Sequence, residues 1–318
     1  MVAHPGRIDV HHHFIPDGHE QRLRSRAPET MRGANFPAWS PEAAIALMDA
    51  NGIGAAVVSI PIWGMVIDDL TFAKDSARRC NEAGAALVAE HPARFGAFAT
   101  LPLLDVEGSL RELEHALDTL RLDGVCLPAH AGPHYLGAAF FDPLFAELHR
   151  RGTTVHVHPG PLESAGGFTP AVPDPIVDFP FDTTRAIANL IATGTLERFP
   201  AIRLIFSHAG GAAPFLAGRL AMLDNNPPIR ERAPQGVLAY LRNIYVDTAL
   251  AANQWAFPSL FALTEPSHVL FGTDWPFAPA PVAAGTVAAL DDYAGLDRAA
   301  RERIARRNAL ALFPRLAG

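Results

Sequence analysis

A chain of 318 residues, 49% hydrophobic and 19% charged, carries enough apolar material for a large buried core, which excludes a disordered or fibrous polypeptide. A net charge of −7 with no long basic run leaves no electrostatic footprint for nucleic acid or an anionic membrane. Two cysteines, Cys80 and Cys126, are too few for a disulfide framework and wrongly spaced for a thiolate metal site.

The first element is RIDVHHHF, Arg7 to Phe14, which reads as a short buried strand closing on histidines. Alternation puts Asp9, His11 and His13 on one face and Ile8, Val10 and His12 on the other. Two imidazoles two residues apart at the carboxyl end of a strand can converge on one metal ion. The competing reading, a polar tract or tag remnant, does not account for the apolar strand that these histidines close. A polar segment from Pro16 to Ser40 follows, too long for an ordinary connection and read as a lid or insertion spanning 14–40. Its Phe36 and Trp39 are candidate substrate-binding residues.

A helix opens with Ser40 as N-cap and Pro41 at its first position and stops at Asn51-Gly52. Strand two is Ala55 to Ile60, a helix runs from about Asp69 to Glu90, and strand three is Phe95 to Thr100. Helix three covers about Val106 to Leu120 and strand four Gly124 to Leu127. A helix over about Asp142 to Arg150 feeds strand five, Thr153 to His158. The Pro- and Gly-dense stretch Pro159 to Pro180 reads as a long active-site loop. Helix five spans about Phe181 to Thr193, strand six Ile202 to His208, and a helix Pro214 to Leu223. Strand seven is Ile244 to Asp247, a helix covers about Asn253 to Leu263, and strand eight lies in VLFGTDWPF and ends at Asp274. Helices near Val282 to Leu290 and Arg298 to Phe313 finish the chain.

Eight mostly continuous apolar strands alternating with helices predict a single α/β domain over 1–318, a (β/α)8 TIM-type barrel. A doubly wound sheet is the runner-up, and no GxGxxG follows the first strand. The start, MVAHPGRIDV, lacks the apolar core of a signal peptide, and no stretch is long and apolar enough to span a bilayer. A soluble, cytoplasmic protein is expected.

Barrel active sites lie at the carboxyl ends of the strands. The chemically able groups there are His11 and His13 from strand one, His158 from strand five, His208 from strand six and Asp274 from strand eight. Three imidazoles and a carboxylate make a plausible open Zn²⁺ site, with His11, His13, His158 and Asp274 as ligands. Any one of these histidines alone would read as a satisfied core residue; four strands delivering such groups to one end weigh against that. His156, one layer deeper, reads as a packed, hydrogen-bonded core residue. Asp9 is a candidate acceptor for a ligand imidazole, or simply a satisfied buried carboxylate. His12 should face the helices. His4, His19, His91, His115, His149 and His268 read as surface residues, and His130 and His134 face either the pocket or solvent.

The motifs IDVHHHFIP, VHVHPG, LIFSHAGG and VLFGTDWPF, in this order along nearly the whole chain, resemble the amidohydrolase-related decarboxylase family. That family includes aminocarboxymuconate-semialdehyde decarboxylase and γ-resorcylate decarboxylase. HYLGAAFFDPLFAELHRRG and DFPFDTTRAIANLIATGTLERFP look most like its 6-methylsalicylate decarboxylase branch. The resemblance implies one divalent ion, Zn²⁺ first and Mn²⁺ as the alternative, on the same four residues. It implies that His208 hydrogen-bonds a water on the metal or the substrate. It also implies that Arg219 reaches a neighbouring subunit's site in a homodimer or higher homo-oligomer, where it meets the substrate carboxylate. Two departures narrow the reading. The arginine that binds the aminocarboxymuconate-semialdehyde dicarboxylate falls near Ala43 or Ala44 here, and no lysine ends strand four to bridge two metals.

The activity expected is metal-dependent, non-oxidative decarboxylation of a small ortho-hydroxy aromatic acid of the salicylate type. His208 and Asp274 would be its catalytic residues, the proton coming from Asp274 in its acid form or from water held by His208. The rivals are hydrolysis of a lactone, ester or amide with His208 as proton shuttle, and a catalytically silent barrel that binds an aromatic ligand.

Overall fold

The computed structural model describes residues 6–26, 36–61, 69–161 and 171–317. Eight parallel strands form one sheet in sequence order: β1 Arg7–His13, β2 Ile53–Ser59, β3 Phe95–Ala99, β4 Gly124–Pro128, β5 Thr154–His158, β6 Arg203–Phe206, β7 Tyr245–Asp247 and β8 Val269–Leu270. β8 is short as a ladder, but the chain beyond it runs on against β1. Val10 N donates to Phe271 O at 2.9 Å, Asp274 N to His11 O at 2.8 Å and His13 N to Trp275 O at 2.7 Å, which joins the last strand to the first. The (β/α)8 barrel expected from the alternation is the fold, and the doubly wound alternative is excluded.

Local signals set the helix boundaries as expected. Ser40 Oγ accepts from Ala43 N at 3.2 Å to cap the helix Pro41–Ala50, and Asp69 and Asp105 cap Leu70–Glu90 and Val106–Glu114 in the same way. Gly152, at φ 62°, ends Asp142–Arg151 in the left-handed conformation. One apolar layer lies between strands and helices. A second, inside the barrel, sets Ile8, Val10, Phe98, Cys126 and Leu270 against Leu312, Phe313 and Leu316 of the chain's end, closing the barrel below the histidines. No helix among the described residues is long and apolar enough to cross a membrane.

The structure corrects two expectations, the strict alternation in β1 and the exposure of His19, and adds a helix to the segment after β1. Strict alternation in β1 fails because the register shifts: Asp9 pairs with Ala56 and His12 with Val58, three steps against two. This irregularity turns Asp9 to the side of His12, and their Oδ2 and Nδ1 atoms meet at 3.0 Å. The polar segment after β1 is partly helical, His19–Arg26, because Leu23 is completely buried and Glu20 pairs with Arg24 one turn on. That helix also buries His19, expected at the surface, with its Nδ1 3.4 Å from Cys80 Sγ. Positions 27–35 of the expected lid, and 162–170 of the loop after β5, lie outside the described residues.

Candidate metal centre and active site

The carboxyl ends of β1, β5 and β8 bring His11, His13, His158 and Asp274 together, all four buried, with their ligand atoms within 4.8 Å of one another. His11 Nε2 lies 3.2 Å from His13 Nε2, and Asp274 Oδ1 lies 3.0 Å from His13 Nε2 and 3.2 Å from His11 Nε2. Each ring is held from behind by its other nitrogen. His158 Nδ1–H donates to the Pro159 carbonyl at 2.7 Å, and because a carbonyl only accepts, this fixes the tautomer with a lone pair on Nε2. His11 Nδ1 faces Asp247 Oδ2 at 2.9 Å, and His13 Nδ1 faces Ser59 Oγ at 3.2 Å. Inward lone pairs crowded beside a carboxylate call for a positive charge at their centre. Three imidazoles and one carboxylate fit a divalent cation, with bonds of about 2.0–2.2 Å after small inward adjustments.

Asp247 is the residue that the sequence reading missed. Its carboxylate is wholly buried and accepts four hydrogen bonds: from His11 Nδ1, from His156 Nε2 at 3.0 Å, and from the backbone N–H groups of His208 and Ala249, both at 3.0 Å. The acceptor behind His11 is therefore Asp247 of β7 and not Asp9, whose carboxylate instead takes Thr273 Oγ1 at 2.6 Å and His12. His156 is a buried, hydrogen-bonded core residue stacked on Phe98, as expected.

His208 was expected on a strand, but β6 ends at Phe206 and His208 sits in the turn beyond it with φ 56°, a conformation uncommon outside glycine. Asp247 holds the amide of that strained residue, and Gly210 and Gly211 complete the turn. A Cβ on Gly211 would stand 2.0 Å from the Pro180 carbonyl oxygen. The His208 ring lies beside the donor cluster rather than within it. Its Nε2 is 3.8 Å from Asp274 Oδ2, and both ring nitrogens are buried with no hydrogen-bond partner among the described residues. Asp274 also has a left-handed backbone, φ 64°.

Burial alone would lower the pKa of His11, but the carboxylates of Asp247 and Asp274 outweigh it and raise it to about 10 in the metal-free protein. Burial lowers His13, against the pull of Asp274, and takes His158 well down, helped by the charge on His11 and His13. Burial would push Asp274 up, yet His11, His13 and His208 hold its carboxyl well below the ordinary range. The cluster thus keeps two buried carboxylates ionised and gathers one positive charge between them, the electrostatics of a cation site.

A cavity of about 450 Å³, counting its open mouth, reaches these groups. Among the described residues its polar lining is His13, His158, His208 and Asp274, and the rest is Pro61, Pro159, Pro175, Phe179, Leu250 and Phe277. Phe277 stands edge-on to His13 and Phe179 edge-on to His158, with ring centroids 5.3 Å and 6.1 Å apart.

The other candidates lie elsewhere. Trp39 packs on Phe14 at 5.9 Å and lines a separate groove with Phe14, His19 and Cys80. Phe36 packs on His19 and on Phe277, behind the cavity wall. Arg219 is exposed on the helix Ala213–Leu220, outside this cavity. His130 turns neither to the cavity lining nor to bulk solvent but to Asp182, with its Nδ1 3.1 Å from Oδ1.

The chain matches the amidohydrolase family over residues 8–315. It belongs to that family. Among its relatives, Decarboxylase macB of Penicillium terrestre is 37% identical over 97% of this chain and 95% of its own length. The 6-methylsalicylic acid decarboxylase of Penicillium expansum is 36% identical over 98% and 97%. The solved structure of an amidohydrolase II superposes with a TM-score of 0.90 at 25% identity, covering 97% of this chain and 99% of that one. The resemblance carried by the four motifs is borne out.

Proposed function

We propose that this amidohydrolase-family enzyme is a metal-dependent decarboxylase that removes carbon dioxide, without oxidation, from a salicylate-type ortho-hydroxy aromatic acid. One observation carries the reading. The cavity is an apolar slot of proline, phenylalanine and leucine whose only polar groups among the described lining are those of the donor cluster and His208. Such a slot suits a flat ring presented by one polar edge. The names of the two fungal relatives support the same chemistry.

His11, His13, His158 and Asp274 would hold the cation. When bound, a divalent ion supplies a Lewis-acidic template for neighbouring phenolate and carboxylate oxygens. Phe179 and Phe277 bracket the histidines and would keep water from the ring. In the metal-free site the histidines around Asp274 favour its ionised form, so as the proton donor it would have to take up a proton once substrate and cation are in place. His208, whose ring nitrogens have no hydrogen-bond partner among the described residues, borders the same cavity and would hold the water that is the other source of a proton for the ring carbon bearing the carboxylate. Loss of carbon dioxide then restores the aromatic ring. Zn²⁺ and Mn²⁺ both suit three imidazoles and one carboxylate.

The working unit we propose is a homodimer or larger, with Arg219 crossing to the neighbour's site. Phe215 and Met222, which flank Arg219 in sequence, are 82% and 66% exposed and would gain from being covered. The test of function is a panel of hydroxybenzoates beside simple lactones and esters, offered to metal-replete protein with carbon dioxide release followed. Turnover of ortho-hydroxy acids supports the reading; cleavage of a lactone or ester with no carbon dioxide from any acid overturns it in favour of a hydrolase.

A further inference from the structure

Asp182 is, like Asp9 and Asp247, a fully buried carboxylate outside the four-residue donor cluster, and it lies in the helix Asp178–Ala192. Its Oδ1 accepts from Tyr135 Oη at 2.8 Å and meets His130 Nδ1 at 3.1 Å, while its Oδ2 accepts from Gly160 N at 3.0 Å. Tyr135 and His130 belong to the short hairpin after β4, His130–Ala131 against His134–Tyr135, and Gly160 to the turn after β5. Gly160 N–H and the Pro159 carbonyl are the two ends of a single peptide group, and that carbonyl is the acceptor of His158 Nδ1–H. A planar peptide transmits both orientation and polarisation from one end to the other.

We propose that Asp182 is a positioning residue for His158, acting through the Pro159–Gly160 peptide. The carboxylate fixes the N–H end, the carbonyl end is thereby held against Nδ1–H, and Nε2 is kept unprotonated and aimed at the centre of the donor cluster. Polarised by a full negative charge, the carbonyl also makes His158 a stronger donor. His11 receives the same service directly from Asp247; His158, whose ring has a carbonyl behind it, receives it through one peptide unit. Asp182 is costly to bury: among the described residues no lysine or arginine is hydrogen-bonded to its carboxylate, and its partners there are Tyr135, His130 and Gly160. An asparagine offers one acceptor oxygen in place of two, so it could not keep both the hairpin and the Gly160 N–H as the carboxylate does, and without the full charge it would polarise the peptide less.

This inference rests on His158 being a metal ligand, and the experiment separates the two claims. Zn²⁺ affinity of the full chain is measured by chelator competition for wild type, Asp182→Asn and Tyr135→Phe. Histidine ring N–H signals are followed by NMR in the Zn²⁺-loaded forms, with circular dichroism to show that each is folded. Asp182→Asn is expected to bind Zn²⁺ about 10–100-fold more weakly, with faster exchange of the His158 Nδ1–H and an unchanged His11 Nδ1–H. Tyr135→Phe, which leaves the Gly160 bond intact, should keep wild-type affinity. Equal affinity and an unchanged His158 signal in folded Asp182→Asn would overturn the relay while leaving the metal site standing. Equal weakening by Tyr135→Phe would also overturn it, showing a role in holding the hairpin. Wild-type protein that binds no Zn²⁺ would overturn the ligand assignment and the relay with it. Should Asp182→Asn fail to fold, wild type alone decides: slow exchange of Gly160 N–H and His158 Nδ1–H supports the relay, and rapid exchange of either overturns it.

Discussion

Replacing Asp247 by asparagine leaves the shape of the side chain and removes one acceptor. In the native site Oδ1 takes the backbone amides of His208 and Ala249, and Oδ2 takes His11 Nδ1 and His156 Nε2. An asparagine whose oxygen stays with the two amides turns its NH₂ toward the two imidazoles. His11 must then present a lone pair at Nδ1 and carry its proton on Nε2, the atom that faces His13 and Asp274. A protonated Nε2 is no longer a ligand. Flipping the amide instead keeps His11 but sets NH₂ against two backbone N–H groups, one of them holding the strained turn at His208. Loss of an outer hydrogen-bond partner typically weakens metal binding by about 10–100-fold, or about 1.4–2.8 kcal/mol. Breaking a buried charged pair from one side costs folding stability of about 3–5 kcal/mol. Metal content by mass spectrometry, chelator competition and thermal unfolding of metal-free Asp247→Asn measure these separately. Wild-type affinity with wild-type stability would show that Asp247 does not set the His11 tautomer.

Purified protein should carry about one divalent ion per chain, and His13→Ala or His158→Ala should lose most of it; two tightly held ions per chain would contradict the single-site assignment. His208→Ala should retain its metal while turnover falls by about 10²–10⁴; loss of metal in step with activity would make His208 a ligand. Metal-free protein holds a proton on His11, whose folded pKa of about 10 lies above the unfolded value of about 6.5. The stabilisation from that proton is complete below the unfolded pKa and fades as pH rises through about 10. Calorimetry of metal uptake near pH 8, in buffers of different ionisation enthalpy, should therefore show about one proton released per cation, whereas no release would place His11 neutral in the metal-free state. Arg219→Ala mixed with an inactive ligand variant should change activity if sites are shared across subunits, and a fully active monomer would rule sharing out.

The barrel was legible because parallel strands covered on both faces read as unbroken apolar runs, and histidines that interrupt the carboxyl ends of such runs stand out. Asp247 was not legible for the opposite reason. It ends a three-residue strand, YVD, where an acidic residue reads as the start of a loop, and its partners come from β1, β5 and the turn after β6. Asp182 did leave a signal, as an acid on the buried stripe Phe179, Thr183, Ala186, Ile187 and Leu190 of its helix. The position of Asp9 depended on an irregularity that alternation does not encode. Trp39 and Phe36 stand out in the sequence as aromatics in a polar segment, yet only the tertiary packing decides which surface they cover. His19 looked exposed for want of the Cys80 contact made across 61 positions of sequence.

Turnover in D₂O distinguishes decarboxylation by ring protonation at the metal centre from every alternative. Metal-replete protein is given salicylate, 6-methylsalicylate and 4-hydroxybenzoate, and both carbon dioxide and the aromatic product are analysed. An ortho oxygen can share one cation with the carboxylate and a para oxygen cannot, so carbon dioxide should come from an ortho-hydroxy acid alone. Its product should carry deuterium at the carbon that lost the carboxylate, and both should disappear when the metal is removed. Carbon dioxide from the para isomer, or undiminished turnover by metal-free protein, would show that no shared cation directs the reaction.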